Sequence, residues 1–222
     1  MTGDVSSPQV LLLPGWQDAG PAHWLSRWQA VHGYRRVVQH DWQRPLRGDW
    51  LMQLEEAVLA SKATRSTESD GLAAERPAAG LTLVAHGLGC VLVAAWAAHS
   101  CHRHWVKAAL LVAPTDVERE ALRPLLASWS PIPRQPLPFR STLVGSHDDQ
   151  HCSFARAQAL AQAWGSAFID GGQRGQLNAE SGLGDWPQGH ALLQWAEDRA
   201  QGPSRTKSGA PRAGLTVGVD HH

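Results

Sequence analysis

The sequence predicts an α/β fold, a mostly parallel twisted sheet with helices on both faces, and three observations carry that prediction. Short runs rich in Val, Leu and Ile alternate with longer segments of helical period. Each short run is bounded by Gly, Pro, Ser or Asp. Most runs are followed within a few residues by a helical segment, as strands joined by crossover helices require. In order, Val10–Leu13 is an apolar strand stopped by Pro14-Gly15, and Ala22–Val31 is a helix. Its Trp24 and Trp28 stand four apart on one face, as core anchors do. Arg36–His40 reads as the second strand and Trp50–Ser61 as the second helix. Leu81–Ala85 is the third strand, running through small residues into a helix at Leu88–His99. Ala108–Ala113 and Ser141–Gly145 are the fourth and fifth strands. Helix Ser153–Trp164, strand Ala167–Asp170 and helix Gly189–Ala200 complete one domain over residues 1–200. Residues 62–80 are polar and nearly aperiodic, so a surface insertion is expected there. From residue 201 the apolar residues give way to Gly, Pro, Ser, Arg and Lys, and a disordered tail over 201–222 is expected.

Composition excludes several function classes. The 222 residues carry 20 Lys+Arg against 20 Asp+Glu, with no basic stripe, so the electrostatic attraction that drives nonspecific nucleic-acid binding is missing. Neither a nucleic acid nor a membrane is expected as a partner. No apolar run approaches the ~20 residues that span a bilayer, and the start lacks the basic region of a signal peptide. Three cysteines, Cys90, Cys101 and Cys152, leave one unpaired in any arrangement, which points to a reducing cytoplasm. Eleven Trp beside one Tyr and three Phe invite a sugar- or base-stacking surface, but the spacing of Trp24 and Trp28 favours core anchors.

The chemistry should lie at Leu81-Thr82-Leu83-Val84-Ala85-His86-Gly87-Leu88-Gly89-Cys90, where a strand turns directly into a helix. This is the frame of a nucleophile elbow, in which a sharp turn lifts a Ser hydroxyl above the sheet. The central position here is Gly87, and glycine offers no nucleophile.

Several further segments carry a resemblance: Pro14-Gly15-Trp16-Gln17, Gly20-Pro21-Ala22-His23-Trp24, Asp41-Trp42-Gln43-Arg44-Pro45, Cys152-Ser153-Phe154, and the stretch from Asn178 through Gly182-Leu183-Gly184-Asp185-Trp186-Pro187 to Gly189-His190-Ala191. Together with the elbow they make the chain similar to the small single-domain serine hydrolases related to retinoblastoma-binding protein 9 and YdeN, over about residues 10–200. The resemblance implies an α/β-hydrolase fold, a three-layer form of the predicted class, and a Ser-His-Asp triad. It places the nucleophile at Gly87, where the Ser is lost, and the acid at Asp149. The base falls on Gln176 in Gly175-Gln176-Leu177-Asn178, where the His is lost. The chain order nucleophile, acid, base is that of α/β-hydrolases. By the same analogy the oxyanion hole is made by the backbone N–H groups of Trp16 and Leu88. Glutamine has no titratable nitrogen with which to take the Ser proton. The expected function is therefore an inactive hydrolase relative serving as a binding or regulatory module, for a small carbonyl or anionic ligand or a protein. A weak or altered esterase is the alternative. No cofactor and no metal are expected.

Other reactive residues offer substitute groups. Cys90 should pack against the sheet one turn into the helix, and His86 should point inward. His23, after the first strand, is expected near the pocket mouth, in a substrate-positioning or structural role rather than acting on a bound water. His151 stands two residues from Asp149 and could re-create an acid–base pair. His190 reads as a capping or packing residue. Two clusters allow a metal reading: His99-Ser100-Cys101-His102-Arg103-His104 at a helix end, and His147, Asp148, Asp149, His151 and Cys152 in the acid loop. The first is also explained by histidines complementing a helix C-terminus.

Overall fold

The computed structural model of the chain describes residues 9–68 and 80–200. Six parallel strands form one sheet: β1 (Gln9–Leu13), β2 (Arg35–Arg36), β3 (Leu81–His86), β4 (Val106–Val112), β5 (Arg140–Gly145) and β6 (Ala167–Asp170). Their order across the sheet is β2-β1-β3-β4-β5-β6. Five helices cover it: α1 (Trp24–His32), α2 (Arg47–Glu68), α3 (Leu88–His99), α4 (Phe154–Trp164) and α5 (Pro187–Ala200).

The period of two in a strand divides the core into two layers. Leu11 and Leu13 face one side with Trp50 and Leu54 of α2, the apolar body of α3, and Leu160 and Trp164 of α4. Val10 and Leu12 face the other with Trp24, Leu25 and Trp28 of α1 and Leu192 and Leu193 of α5. Helix α3 is buried from Leu88 to Ala97, because it lies over the middle of the sheet between neighbours on both sides.

The six most deeply buried tryptophans settle the question of their role. Each indole N–H donates to an oxygen at a loop or a neighbouring helix: Trp24 to the Leu177 carbonyl, Trp28 to that of Asp185 and Trp50 to that of Asp41. Trp129 donates to the Pro45 carbonyl, Trp164 to that of Pro133 and Trp96 to the Glu55 carboxylate. They are core struts whose polar tips tie down loops, rather than a stacking surface.

The structure corrects several boundaries. The second strand pairs only at Arg35–Arg36, not over Arg36–His40. Val37 N still donates to Leu12 O, but its neighbour strand ends there at Pro14, which has no N–H to continue a ladder. Helix α1 starts at Trp24 because His23 caps it, and it ends at Gly33, whose φ is +69°. Helix α5 starts at Pro187, a residue suited to a first helical position. Helix α2 runs on to Glu68, so residues 62–68 of the expected insertion are helix. Its Ala, Lys, Arg and Glu are good helix formers that extend a nucleus already packed at Trp50 and Leu54. The rest of that expected insertion, and the expected tail at 201–222, lie outside the described residues. No helix among the described residues is long and apolar enough to cross a membrane.

Candidate active site

The carboxyl ends of five strands converge on one edge of the sheet, where ligands bind in open α/β folds. Gly87 follows β3 with φ +57° and ψ −122° and opens α3 as its N-cap. Its N–H donates to Val112 O at 3.0 Å, and its carbonyl accepts from Cys90 N and Thr115 N. The elbow is thereby fastened to β4 and to the loop after it. A side chain at Gly89 would run into the Leu13 carbonyl, so the close approach of the β1 loop to the elbow depends on that glycine.

A Cβ built on Gly87 would meet the Gly15 Cα at 3.6 Å and two polar atoms. Gln176 Nε2 lies 3.7 Å from it and Thr115 Oγ1 lies 3.4 Å from it. Gly87 and Gln176 therefore lie side by side. The Gln176 backbone is held from both sides. His86 Nε2 donates to its carbonyl at 2.8 Å, and the Trp24 indole holds the carbonyl of the next residue, Leu177.

Asp149 lies in the loop after β5 and is buried. Its carboxylate accepts from the N–H of His151 at 2.8 Å and from that of Cys152. Burial pushes its carboxyl up to about 6, against the pull of those two amides and of Arg119. Among the described residues no hydrogen bond joins Asp149 to Gln176. Its neighbour Asp148 makes the link between the two loops instead, accepting from Gly175 N and Ser146 Oγ at 2.8 Å each. These contacts hold the Asp148 carboxyl below its ordinary value.

The other expected residues are placed as follows. Leu88 is the first residue of α3, so its N–H has no partner within the helix. Trp16 is partly buried, its indole donates to Gln43 O, and its backbone N–H is not spent in any hydrogen bond of the described residues. His23 is not at a pocket mouth. It is buried, its Nδ1 accepts from Leu25 N at 3.1 Å, and its ring meets that of His86 edge-on at 4.7 Å. Burial, with His86 and Arg36 adding to it, pushes it down to about 2. It is a neutral helix cap, and the Nδ1 bond fixes its proton on Nε2.

Cys90 is buried and its thiol donates to Ala85 O and Val112 O; burial drives it far above the ordinary thiol range. His86 is buried and pushed down to about 4. His151 lines a cleft beside Gln176 and is lowered by burial and by Arg119. His190 stacks on His32 and bonds to the Tyr34 hydroxyl at 2.8 Å, a packing role. In the helix-end cluster only Cys101 and His102 come together, with Glu55 of α2, which the sequence did not single out. Glu55 already bonds Trp96, Ser100 and His102. In the acid loop His147 turns away to stack on Phe154 and bond Asp170, and among the described residues no three ligand atoms gather there.

One polar residue of the site was missed in the sequence, Thr115, and Asp148 was read only as a candidate metal ligand. Thr115 could have been found from strand order, because the loop after β4 must lie beside the elbow after β3.

The serine hydrolase family profile matches residues 10–67 and 69–195. The chain belongs to the serine hydrolase family. Among curated proteins no significant match is found. Among solved structures, a YdeN-like hydrolase from Pectobacterium atrosepticum is 24% identical with a TM-score of 0.67, covering 87% of this chain and 92% of that one. The ydeN gene product from B. subtilis is 18% identical with a TM-score of 0.64, covering 86% and 100%. An esterase domain from a Rhodothermus marinus protein is 18% identical with a TM-score of 0.60, covering 87% and 88%. At these identities the structures establish a shared α/β-hydrolase fold. In this serine hydrolase family member Gly87, Asp149 and Gln176 stand in the segments that follow β3, β5 and β6.

Proposed function

We propose that this protein is a serine hydrolase relative that has lost acyl transfer and acts as a binding or regulatory module. The observation that carries the proposal is the geometry at Gly87: the direction in which a nucleophile would project meets a glutamine amide, and no group there can attack a carbonyl and pass on its proton. The substitutes are spent elsewhere. Cys90 is locked in the core, His86 gives its Nε2 proton to the Gln176 carbonyl, and Asp149 faces backbone amides. The Thr115 hydroxyl has no imidazole beside it among the described residues to activate it. Losing two members of a unit that works together removes nearly all of its rate enhancement.

The unused N–H groups of Leu88 and Trp16 support a pocket that still receives an oxygen-bearing ligand. Three unpaired thiols, two of them buried, support a cytoplasmic setting. The test is hydrolysis of p-nitrophenyl acetate by the purified protein beside an Asp149→Ala variant. Equal rates are expected, and turnover well above that variant would contradict the proposal.

A further inference from the structure

We propose that Glu55, Cys101 and His102 form a zinc site where the end of α3 meets α2, with a carboxylate oxygen, a thiolate and an imidazole nitrogen as ligands and water in the fourth position. The site is remote from the elbow and independent of the function proposed above. Helix α3 starts beside Gly87 and runs for 12 residues before this turn, a length of about 18 Å.

The donor atoms already stand close to the spacing a metal requires. Cys101 Sγ lies 3.7 Å from His102 Nδ1, which in turn bonds Glu55 Oε1 at 2.5 Å. One ligand atom from each of the three residues lies within 4.8 Å of the other two. Around a tetrahedral zinc, with nitrogen and oxygen at about 2.0 Å and sulfur at about 2.3 Å, neighbouring ligand atoms are roughly 3.3–3.7 Å apart. The sulfur–nitrogen spacing fits as it stands. The nitrogen–oxygen pair, now joined by a proton, has to open by about 1 Å. Cys101 is exposed, and the His102 and Glu55 side chains are 28% and 29% exposed, so an ion and its water can enter from solvent.

The carboxylate is also held as a ligand should be. Glu55 Oε2 accepts from the Trp96 indole at 2.6 Å and from Ser100 Oγ at 2.7 Å, which leaves Oε1 turned to His102. Ser100 Oγ accepts in turn from the His102 N–H at 3.0 Å and fixes the turn that carries the other two ligands. Outer hydrogen bonds of this kind orient the ligands of metal sites. Burial pushes the Glu55 carboxyl up, but the bonds from His102, Ser100 and Trp96 outweigh it and hold the group below its ordinary value. The cation would stand at the carbonyl end of α3, where the helix dipole favours positive charge.

The donor set selects the metal. Thiolate and imidazole suit zinc, whereas magnesium and calcium take oxygen ligands. On binding, the ion replaces the proton between Nδ1 and Oε1, the ring carries its proton on Nε2, and the thiol proton passes to water. The run from His99 to His104 contains no carboxylate, so its ligand set is completed only by the fold, which brings in Glu55 from 47 residues away. His104 stays outside, with its Nδ1 on the Cys101 carbonyl. Ligands so far apart in the chain meet only when it is folded, so the ion ties α2 to the turn after α3 and stabilises the folded state.

The experiment titrates the full chain, reduced and stripped of metal, first with cobalt(II) and then with zinc in competition with a chromogenic chelator. The parent is compared with Cys101→Ser and Glu55→Gln. The parent should take up one equivalent of cobalt and develop the near-ultraviolet thiolate-to-cobalt charge-transfer band, which zinc then abolishes and millimolar magnesium does not. Cys90 and Cys152 are buried, so this band reports on Cys101. Cys101→Ser should lose the band, and each substitution should weaken zinc about ten-fold or more. Zinc should raise the thermal midpoint of the parent and leave that of Cys101→Ser unchanged. Cys101 is exposed, so its replacement carries the comparison should Glu55→Gln fail to fold. A parent without the band, a folded variant that binds zinc as the parent does, or displacement of cobalt by magnesium would overturn the proposal.

Discussion

Two residues of the site carry energetic consequences that follow from their surroundings. Gly87 holds a φ of +57° with ψ −122°, a region that costs a residue with a Cβ on the order of 1–3 kcal/mol. The space around that Cβ is ordinary van der Waals distance, so the cost of Gly87→Ala is strain rather than collision. Alanine recovers roughly 0.4–1 kcal/mol through a less disordered unfolded chain, which leaves a net loss of about 0.5–2 kcal/mol. Thermal unfolding should show a midpoint lower by roughly 1–8 °C, and an equal or higher midpoint would contradict a strained elbow. Asp149 makes the second prediction. Its folded carboxyl titrates near 6, above its ordinary 3.8, so between those values the folded state holds more protons than the unfolded one. Stability attributable to this group therefore falls as pH rises through that window and stays low above it. A shift of about 2 pH units corresponds to at most about 3 kcal/mol. Asp149→Asn should be the more stable protein at pH 7.5, with the difference fading by about pH 4; a difference independent of pH would contradict it. At this scale the inward packing of Cys90 and the packing role of His190 were legible, because both follow from where the residue stands on its helix. Thr115 and the burial of His23 were not, because they depend on which loops and rings meet in space.

Among the elements, the loop that carries Gln176 owes its position to two side chains from elsewhere, Trp24 of α1 and His86 of β3. Replacing Trp24 by Phe keeps an aromatic ring in the cluster with Trp28 and Trp186 but leaves the Leu177 carbonyl without its donor. A buried acceptor left unpaired costs about 1–3 kcal/mol. The thermal midpoint should fall by roughly 2–12 °C, and backbone amide exchange should quicken over residues 175–178. Unchanged exchange there would show that the loop is held by other contacts. The same dependence on neighbours explains what the sequence left unread in the elements. The Val37-Val38 pair reads as strand, yet pairing stops where β1 reaches Pro14. Residues 62–68 read as insertion because they lack an apolar stripe, yet α2 continues through them as an extension of its packed half. Strands β3 to β6 were legible nearly to the residue, since buried parallel strands are runs of β-branched and aliphatic side chains with little else competing.

The whole molecule has the fold of the serine hydrolase family, and under the function proposed above its site lacks two of three catalytic groups. Six parallel strands among the described residues carry helices on both faces, and the family profile spans nearly all of them. Stability of such a framework comes from its two apolar layers, not from the triad, so the chemistry can be lost while the fold persists. If that is what separates this protein from an active enzyme, restoring both groups should restore reaction, and restoring one should not, because triad members act together. The most direct test is covalent labelling by a fluorophosphonate probe, read by intact mass, on the parent, on Gly87→Ser and on Gly87→Ser combined with Gln176→His. The account predicts an unlabelled parent, little or no labelling of the single variant, and stoichiometric labelling at position 87 in the double variant. Labelling of the parent, or a folded double variant that stays inert, would contradict it.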